Sequence, residues 1–278
     1  LKQPTDSVTD LLISFAQPGL PNGPTIASSR APKQIPVREA YDREFERFLV
    51  RMFLERHPDV VAKFLDSEAA AKLPVEARVL ASLALEPKAS ASRVAKLLPQ
   101  LDRAPNDEEL LRLAQFPSEP GVGEALQTLL TNEKSRAAVA EKLVAQRTKL
   151  DAKQIGPLLT ETAKQMLHKS PTLAFQLVSG FQLTSLESDL VALARSDGFQ
   201  PSQMTAGSRH SLLNTLRDLG SAEAEFFASL AKSDPDPLTR DAALEALAAS
   251  RAPDAGTKLL ALYPSLQPAQ RRSALNAL

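Results

Sequence analysis

The sequence contains no cysteine and no tryptophan, and only 10 of its 278 residues are glycine. Without cysteine the chain can form no disulfide, no thiolate metal site and no covalent haem attachment of its own. Lysine plus arginine equals aspartate plus glutamate at 33 each, so the basic excess that phosphate binding favours is missing. No apolar run approaches the roughly 20 residues of a membrane span. We therefore expect neither a nucleic-acid partner nor a membrane-spanning segment.

The residues that are abundant favour helices. Leucine and alanine dominate, while aromatic residues make up 5% and are nearly all phenylalanine. Such a composition suits helices packed on helices, and no stretch keeps the alternation of a half-buried strand. The sequence predicts an all-α protein of about fifteen helices, with no sheet of three or more strands.

Three similar octapeptides recur near the C-terminus: RHSLLNTL, RDAALEAL and RRSALNAL. They repeat every 31 residues, which places arginine at Arg209, Arg240 and Arg271 and leucine at Leu213, Leu244 and Leu275. A fixed period in this range is typical of stacked helical hairpins, none of which can bury its apolar face alone.

These repeats resemble the HEAT family, with a turn rich in Pro and Asp, an arginine, a pair of small residues and paired leucines. The resemblance implies an α-solenoid. It also implies a structural role for the arginines, which would bridge neighbouring repeats through a carboxylate or a helix C-terminus. We expect Leu244, and its equivalents Leu213 and Leu275, to be buried between successive hairpins.

The regular period begins only near Gln203, so the first two-thirds of the array is predicted to be irregular. We divide the chain into an N-terminal helix and Pro-rich linker (1–37), an array of irregular helical pairs (38–200) and HEAT-like repeats (201–278). The Pro-rich part, Gln17–Pro36, reads either as an extended linker or as a loop packed over the helices. The final motif has no second helix after Leu278, which suggests that the parent protein continues.

The strongest single helix is predicted over Arg38–His57. Its apolar side chains lie at helical spacing along one stripe, which comprises Tyr41, Phe45, Phe48, Leu49, Met52 and Phe53. We expect this stripe to pack in the core, with a partner-binding helix as the alternative. A break or kink is predicted at Gly156-Pro157, because proline removes a backbone donor and clashes with the preceding turn.

No constellation of residues predicts catalysis. The three histidines, His57, His168 and His210, are far apart and lack ligand-spaced neighbours, whereas metal sites need three or four convergent ligands. Neither a nucleophile elbow nor a phosphate-binding glycine loop occurs. We therefore predict no catalytic, cofactor-binding or metal-binding residue.

The segment Tyr41–Lys88 is similar to helical regions in large multidomain proteins of planctomycetes and verrucomicrobia. Those proteins join a propeller resembling sugar dehydrogenases, a HEAT-like region and a c-type cytochrome module. The resemblance implies a helical spacer of an exported, hence periplasmic, redox protein. The chain has no Cys-x-x-Cys-His motif, so no haem residue is carried over.

Taken together, these patterns predict a non-catalytic scaffold, monomeric by itself, that binds another protein or flanking domains of the same polypeptide. The alternative is a HEAT-like enzyme or ligand-binding module similar to alkylpurine DNA glycosylases. The resemblance implies for those enzymes a basic groove with tryptophan beside a catalytic aspartate. A deep pocket with convergent polar groups would favour the alternative.

Overall fold

The computed structural model describes residues 5–15, 17–20, 22–30, 34–199 and 204–277. Within them the chain forms seventeen α-helices: α1 Asp6–Ser14, α2 Glu39–Leu54, α3 Pro58–Leu65, α4 Glu68–Ala71, α5 Val75–Leu83, α6 Pro87–Leu97, α7 Asp107–Gln115, α8 Val122–Thr131, α9 Arg136–Ala145, α10 Ala152–Lys169, α11 Pro171–Phe181, α12 Glu187–Arg195, α13 Ala206–Asp218, α14 Ala224–Ser233, α15 Pro237–Ala248, α16 Ala255–Leu262 and α17 Pro268–Ala277.

The prediction of an all-α fold is confirmed. Over the described residues the strands are limited to β1 (Thr25–Ala27) and β2 (Gln34–Pro36), which form one antiparallel pair with Ile26 opposite Ile35. This ribbon lies inside the Pro-rich segment, where no strand was predicted. Short 3-10 turns cover Leu98–Gln100, Arg147–Lys149, Thr184–Leu186, Asp197–Phe199 and Tyr263–Ser265.

Helix ends follow the capping residues in the sequence. The Thr5 hydroxyl accepts a hydrogen bond from the Val8 amide at the start of α1. At the start of α7 the Asn106 side chain accepts from the Glu109 amide, and the Glu109 carboxylate accepts from the Asn106 amide. Such reciprocal bonds satisfy amides that the first helical turn leaves unpaired.

The predicted break at Gly156-Pro157 does not occur, because α10 is one continuous helix with Pro157 inside it. Proline removes a single backbone donor, whereas α10 buries Ile155, Leu159 and Ala163. Burial of that many apolar side chains outweighs one lost hydrogen bond. Gly156 allows close packing, since an added Cβ would lie 3.3 Å from the end of the Leu183 side chain.

The chain divides into two compact units, Leu1–Thr128 and Leu129–Leu278. The core of the first unit is formed by apolar side chains from α1 to α5, including Ile13, Val50, Leu54, Val61, Phe64, Leu80 and Leu85. The three-part division made from the sequence stays a prediction.

In the second unit, helices contact both their immediate and their second neighbours. Helix α10 packs on α11 and α14 packs on α15, which makes hairpins. In addition α9 contacts α11, α11 contacts α13, α13 contacts α15 and α15 contacts α17. Leu213 and Leu244 are both buried in this array. The side chain of Leu275 and the whole of Leu278 lie outside the described residues.

The three repeat arginines bind loops beside their helices, but not in the same way. Arg209 forms an ion pair with Asp234, and both side chains are buried. Arg240 donates to the Asp234 carbonyl over 2.7 Å, and Arg271 donates to the Pro264 carbonyl over 2.9 Å. The prediction that they bridge neighbouring repeats remains untested.

Candidate functional site: the exposed aromatic face of helix α2

Helix α2 places its largest apolar side chains in solvent. Phe48 is 60% exposed and Tyr41 is 51% exposed. Phe45, Leu49 and Phe53 are also exposed, whereas Met52 is half-buried. We call Tyr41, Phe45, Phe48, Leu49 and Phe53 the aromatic face. The prediction that this stripe packs in the core is therefore wrong.

The opposite side of α2 is the buried one. It carries Ala40, Val50 and Leu54, and the last two belong to the core of the first unit. At 3.6 residues per turn, Arg43 and Arg47 fall on this same side. The helix thus buries small and medium apolar residues together with arginine stems, and leaves its phenylalanines outside.

Two of these arginines hold the Pro-rich segment. Arg43 donates to the Pro18 carbonyl over 3.2 Å, and Arg47 donates to the Gln17 carbonyl over 3.0 Å. Gly23 also lies against the helix, since an added Cβ would come within 2.6 Å of the Ala40 Cβ. The segment is therefore a loop packed on α2, which is one of the two readings that the sequence allowed.

The C-terminal half of α2 is held by Arg51. Its guanidinium donates to the Leu83 carbonyl over 3.2 Å and to the Glu55 carboxylate over 2.8 Å, and it forms an ion pair with Glu108. Burial disfavours the charged form of Arg51, but the hydrogen bonds to Glu108 and Glu55 outweigh burial and raise its pKa. These contacts fix the rotation of the helix about its axis.

Burial lowers the pKa of Arg47, because desolvation disfavours the charged guanidinium more than the carboxylates around it favour that charge. Arginine remains ionised even so. Turning the Arg47 side chain inward nevertheless removes water from a charged group. An aromatic side chain in the same place would have no such free-energy cost. The orientation of α2 therefore keeps a large apolar surface in water at some expense to folding.

The aromatic face is regular in shape. The rings of Tyr41 and Phe45 are stacked, with centroids 6.1 Å apart and an interplanar angle of 6°. Tyr41, Phe45, Phe48 and Met52 follow each other at spacings of four, three and four residues, which is the spacing of a helix–helix seam. The face is thus arranged in the same way as helical surfaces that pack against another helix.

Carboxylates border the aromatic face on both sides. By helical geometry Asp42 and Glu46 lie along one edge and Glu44 lies along the other. All three side chains are exposed, and none forms an ion pair with any residue that the structure describes. We call these residues the flank carboxylates. They give the border of the face a negative charge that no ion pair among the described residues neutralises.

Helix α1 shows a similar orientation. Its Ile13 is buried in the core of the first unit, while Val8, Leu11 and Phe15 are exposed. The sequence pattern of α1, with apolar residues at i, i+3, i+4 and i+7, identified the helix correctly. It did not indicate the buried face, because Val8, Leu11 and Phe15 belong to the pattern and are exposed, whereas the buried Ile13 lies outside it.

The second unit offers a different kind of site, a cleft of about 310 Å³. Its lining is mixed polar and apolar and comes from α9, α11 and α13 and the turn after α9, with Arg147, Gln176, Ser179, Asn214 and Asp218 among its polar residues. The Ser179 hydroxyl donates to the Asp218 carboxylate, so these two groups satisfy each other. The lining contains one carboxylate and neither a histidine nor a lysine, which leaves no acid–base pair for proton transfer.

Over the described part of the chain, no group of three or more potential metal ligands converges. Helices long and apolar enough to cross a bilayer are likewise not found among those residues. Comparisons with known protein families, curated proteins and solved structures yield no match to this chain. The aromatic face of α2 is consequently the strongest candidate site.

Proposed function

We propose that this chain is a non-catalytic helical scaffold whose aromatic face binds another protein or a flanking domain of the same polypeptide. In this proposal the hairpins of the second unit are part of a HEAT-like solenoid, and the first unit displays the face. The observation that carries the proposal is the orientation of α2, with arginines inside and phenylalanines outside. Contiguous exposed apolar surface on soluble proteins marks interaction sites.

The anchoring of α2 supports a binding role. Because Arg43, Arg47 and Arg51 hold the helix through carbonyls and a carboxylate, the aromatic face is presented in one orientation. A preorganised face loses little conformational entropy when a partner binds. Aromatic side chains are also the residues that contribute most to protein–protein affinity.

The proposal extends to the setting of the chain. If the resemblance of Tyr41–Lys88 to spacers of exported redox proteins holds, the chain lies between other domains, in a periplasmic compartment. The reading as an enzyme similar to DNA glycosylases has less support, because no tryptophan or basic excess accompanies the cleft of the second unit.

The test uses the full chain and three labelled helical peptides. Each peptide has leucines at i, i+3, i+4 and i+7, and its flanking positions are all glutamine, all lysine or all glutamate. We expect at least one peptide to bind the wild-type chain in fluorescence anisotropy. Phe45→Ala/Phe48→Ala should weaken that binding by about tenfold or more, because large apolar anchors dominate such interfaces.

The matched control is Leu238→Ala/Leu260→Ala, which removes two similarly exposed apolar side chains from the second unit. This control should bind as the wild type does. Equal binding by both double variants would contradict the proposal, as would the failure of all three peptides to bind.

A further inference from the structure

The flank carboxylates indicate what kind of partner covers the aromatic face. Asp42, Glu44 and Glu46 are exposed beside it and form no ion pair with any of the described residues. The three arginines of the same helix point the other way and are engaged with carbonyls and carboxylates. A helix that alternates charge along its sequence thus presents charge of one sign around its apolar face.

We propose that the aromatic face binds an amphipathic helix whose apolar stripe is bordered by lysine or arginine. This inference rests on the proposed function and names the partner class. The seam-like spacing of Tyr41, Phe45, Phe48 and Met52 accepts a helix laid along α2, because side chains at that spacing interdigitate with those of a facing helix. Basic residues on both borders of that helix then meet Asp42 and Glu46 on one side and Glu44 on the other.

A second copy of this chain fits the face less well. Parallel pairing of two α2 helices would bring the flank carboxylates together, which is unfavourable. Antiparallel pairing would place the flank carboxylates of one copy against the C-terminal end of α2 in the other copy. Of the two cations there, Arg51 is already paired with Glu55 and Glu108, which leaves the exposed Arg56. Charge therefore favours a partner that differs from α2 itself.

An anionic membrane surface is disfavoured for the same reason. Helices that lie on such membranes have cationic residues on their polar face. Along the length of α2 the charges that border the aromatic face are the exposed carboxylates of Asp42, Glu44 and Glu46, which would repel anionic headgroups. Arg38 and Arg56, which form no ion pair with a described residue, lie beyond the two ends of the helix. A basic helix is the partner whose apolar stripe and charges both match.

The three peptides of the functional test decide between these partners. With the wild-type chain at low salt, the lysine-flanked peptide should bind about tenfold more tightly than the glutamine-flanked one, and the glutamate-flanked peptide should bind most weakly. Added salt should reduce these differences, because exposed charge pairs are screened within about 10 Å at 0.1 M salt.

A second experiment reverses the charge of two flank carboxylates on the protein. Glu44→Lys/Glu46→Lys should reverse the order of the three peptides. The matched control, Glu141→Lys/Glu161→Lys, changes two exposed helical carboxylates of the second unit by the same charge and should keep the wild-type order.

The outcomes separate the partner class from the function. If all three peptides bind equally and Phe45→Ala/Phe48→Ala still abolishes binding, the face docks proteins but the basic partner is refuted. A doubling of mass in sedimentation that the same variant abolishes would assign the face to a second copy. Binding to phosphatidylserine vesicles that is lost in the variant would assign it to a membrane. Either result would overturn the inference.

Discussion

Helix α2 in the first unit and helix α15 in the second both carry large apolar side chains at helical spacing, but they differ in whether those side chains are buried. Helix α15 buries Leu244 and Leu247 in the core and exposes only Leu238, near its start. Helix α2 buries Val50 and Leu54, and its phenylalanines face solvent. The comparison shows that helical periodicity identifies residues that share a face. It does not identify the face that is covered, because that depends on the neighbouring segments.

Arginines that point inward have different partners in the two units. In the second unit Arg209 is 2% exposed, pairs with the buried Asp234, and lies 4.5 Å from the centroid of the Phe199 ring. In the first unit Arg47 binds a backbone carbonyl of the Pro-rich loop. A buried carboxylate makes Arg209 part of the core, whereas the carbonyl contacts of α2 tie a loop to a helix.

Removing the buried cation should have the greatest effect on stability. Arg209→Ala leaves Asp234 buried without its partner, and breaking a buried pair in this way costs roughly 3–5 kcal/mol. Urea unfolding of the variant and the wild type measures the change. Lys169→Ala, which removes the exposed pair with Glu133, should cost far less, because solvent screens exposed charges. Equal losses in the two variants would show that burial of the Arg209 pair has no energetic significance.

The second largest effect is expected from truncation of Leu244, one of the repeat leucines. Leu244→Ala should lower the free energy of unfolding by roughly 2–5 kcal/mol, as expected for a buried leucine. Leu260→Ala in the adjacent helix removes an exposed leucine and should change it by less than about 0.5 kcal/mol. A melting temperature of Leu244→Ala equal to that of the wild type would invalidate the assignment of the repeat register.

The aromatic face should contribute little to folding. Phe48→Ala should change the free energy of unfolding by less than about 0.5 kcal/mol, because the ring is exposed. Leu54→Ala on the buried side of the same helix should cost roughly 2–5 kcal/mol. Thermal unfolding of both variants compares the two faces directly. A large decrease in the melting temperature of Phe48→Ala would mean that the stripe is part of the core after all.

The smallest effect concerns an exposed pair of the first unit. Arg93 donates hydrogen bonds of 2.8 and 2.9 Å to Asp66, and these bonds lower the pKa of Asp66 from its ordinary value of 3.8. A lowered pKa stabilises the folded state above that ordinary value, and the stabilisation is lost as the pH falls through the lowered pKa.

The stability difference between wild type and Arg93→Gln should therefore be present at neutral pH and should shrink below about pH 3.8. It should also be small and sensitive to salt, since the Asp66 side chain is 66% exposed. Denaturant unfolding across this pH range measures it, with Lys63→Gln as the control for loss of a positive charge. A stability difference between the two proteins that grows as the pH falls would show that the pKa of Asp66 is not lowered in the folded state.

Several parts of the fold were predictable from the sequence because their cause is local. The helical pattern predicted an N-terminal helix, a helix over Arg38–His57 and about fifteen helices in all, and local caps such as Thr5 and Asn106 fix where helices begin. The short helix α4 and the ribbon β1–β2 were not predicted. Both are three or four residues long, which is too short for a periodic pattern to establish. The continuity of α10 through Pro157 was missed because packing, and not propensity, decides it.

The candidate site was only half predictable. The stripe from Tyr41 to Phe53 was recognised, and so was its helical spacing. The signal that could have indicated its exposure is the second stripe of Arg43, Arg47 and Arg51 at intervals of four residues, close in sequence to a Pro-rich segment that cannot pair all its carbonyls within a helix. Without the contacts to Gln17, Pro18 and Leu83, nothing in the pattern shows that these arginines face inward.

The sequence by itself determined that the chain is helical, where most helices begin and end, and which side chains share a face of each helix. These properties depend on interactions within a few residues, namely hydrogen bonds between successive turns, capping and backbone propensity. The tertiary structure alone decided that α2 exposes its phenylalanines. Burial of one face or the other depends on the loop carbonyls and the carboxylate that reach the arginines from distant positions in the chain, and helical periodicity is the same for both outcomes.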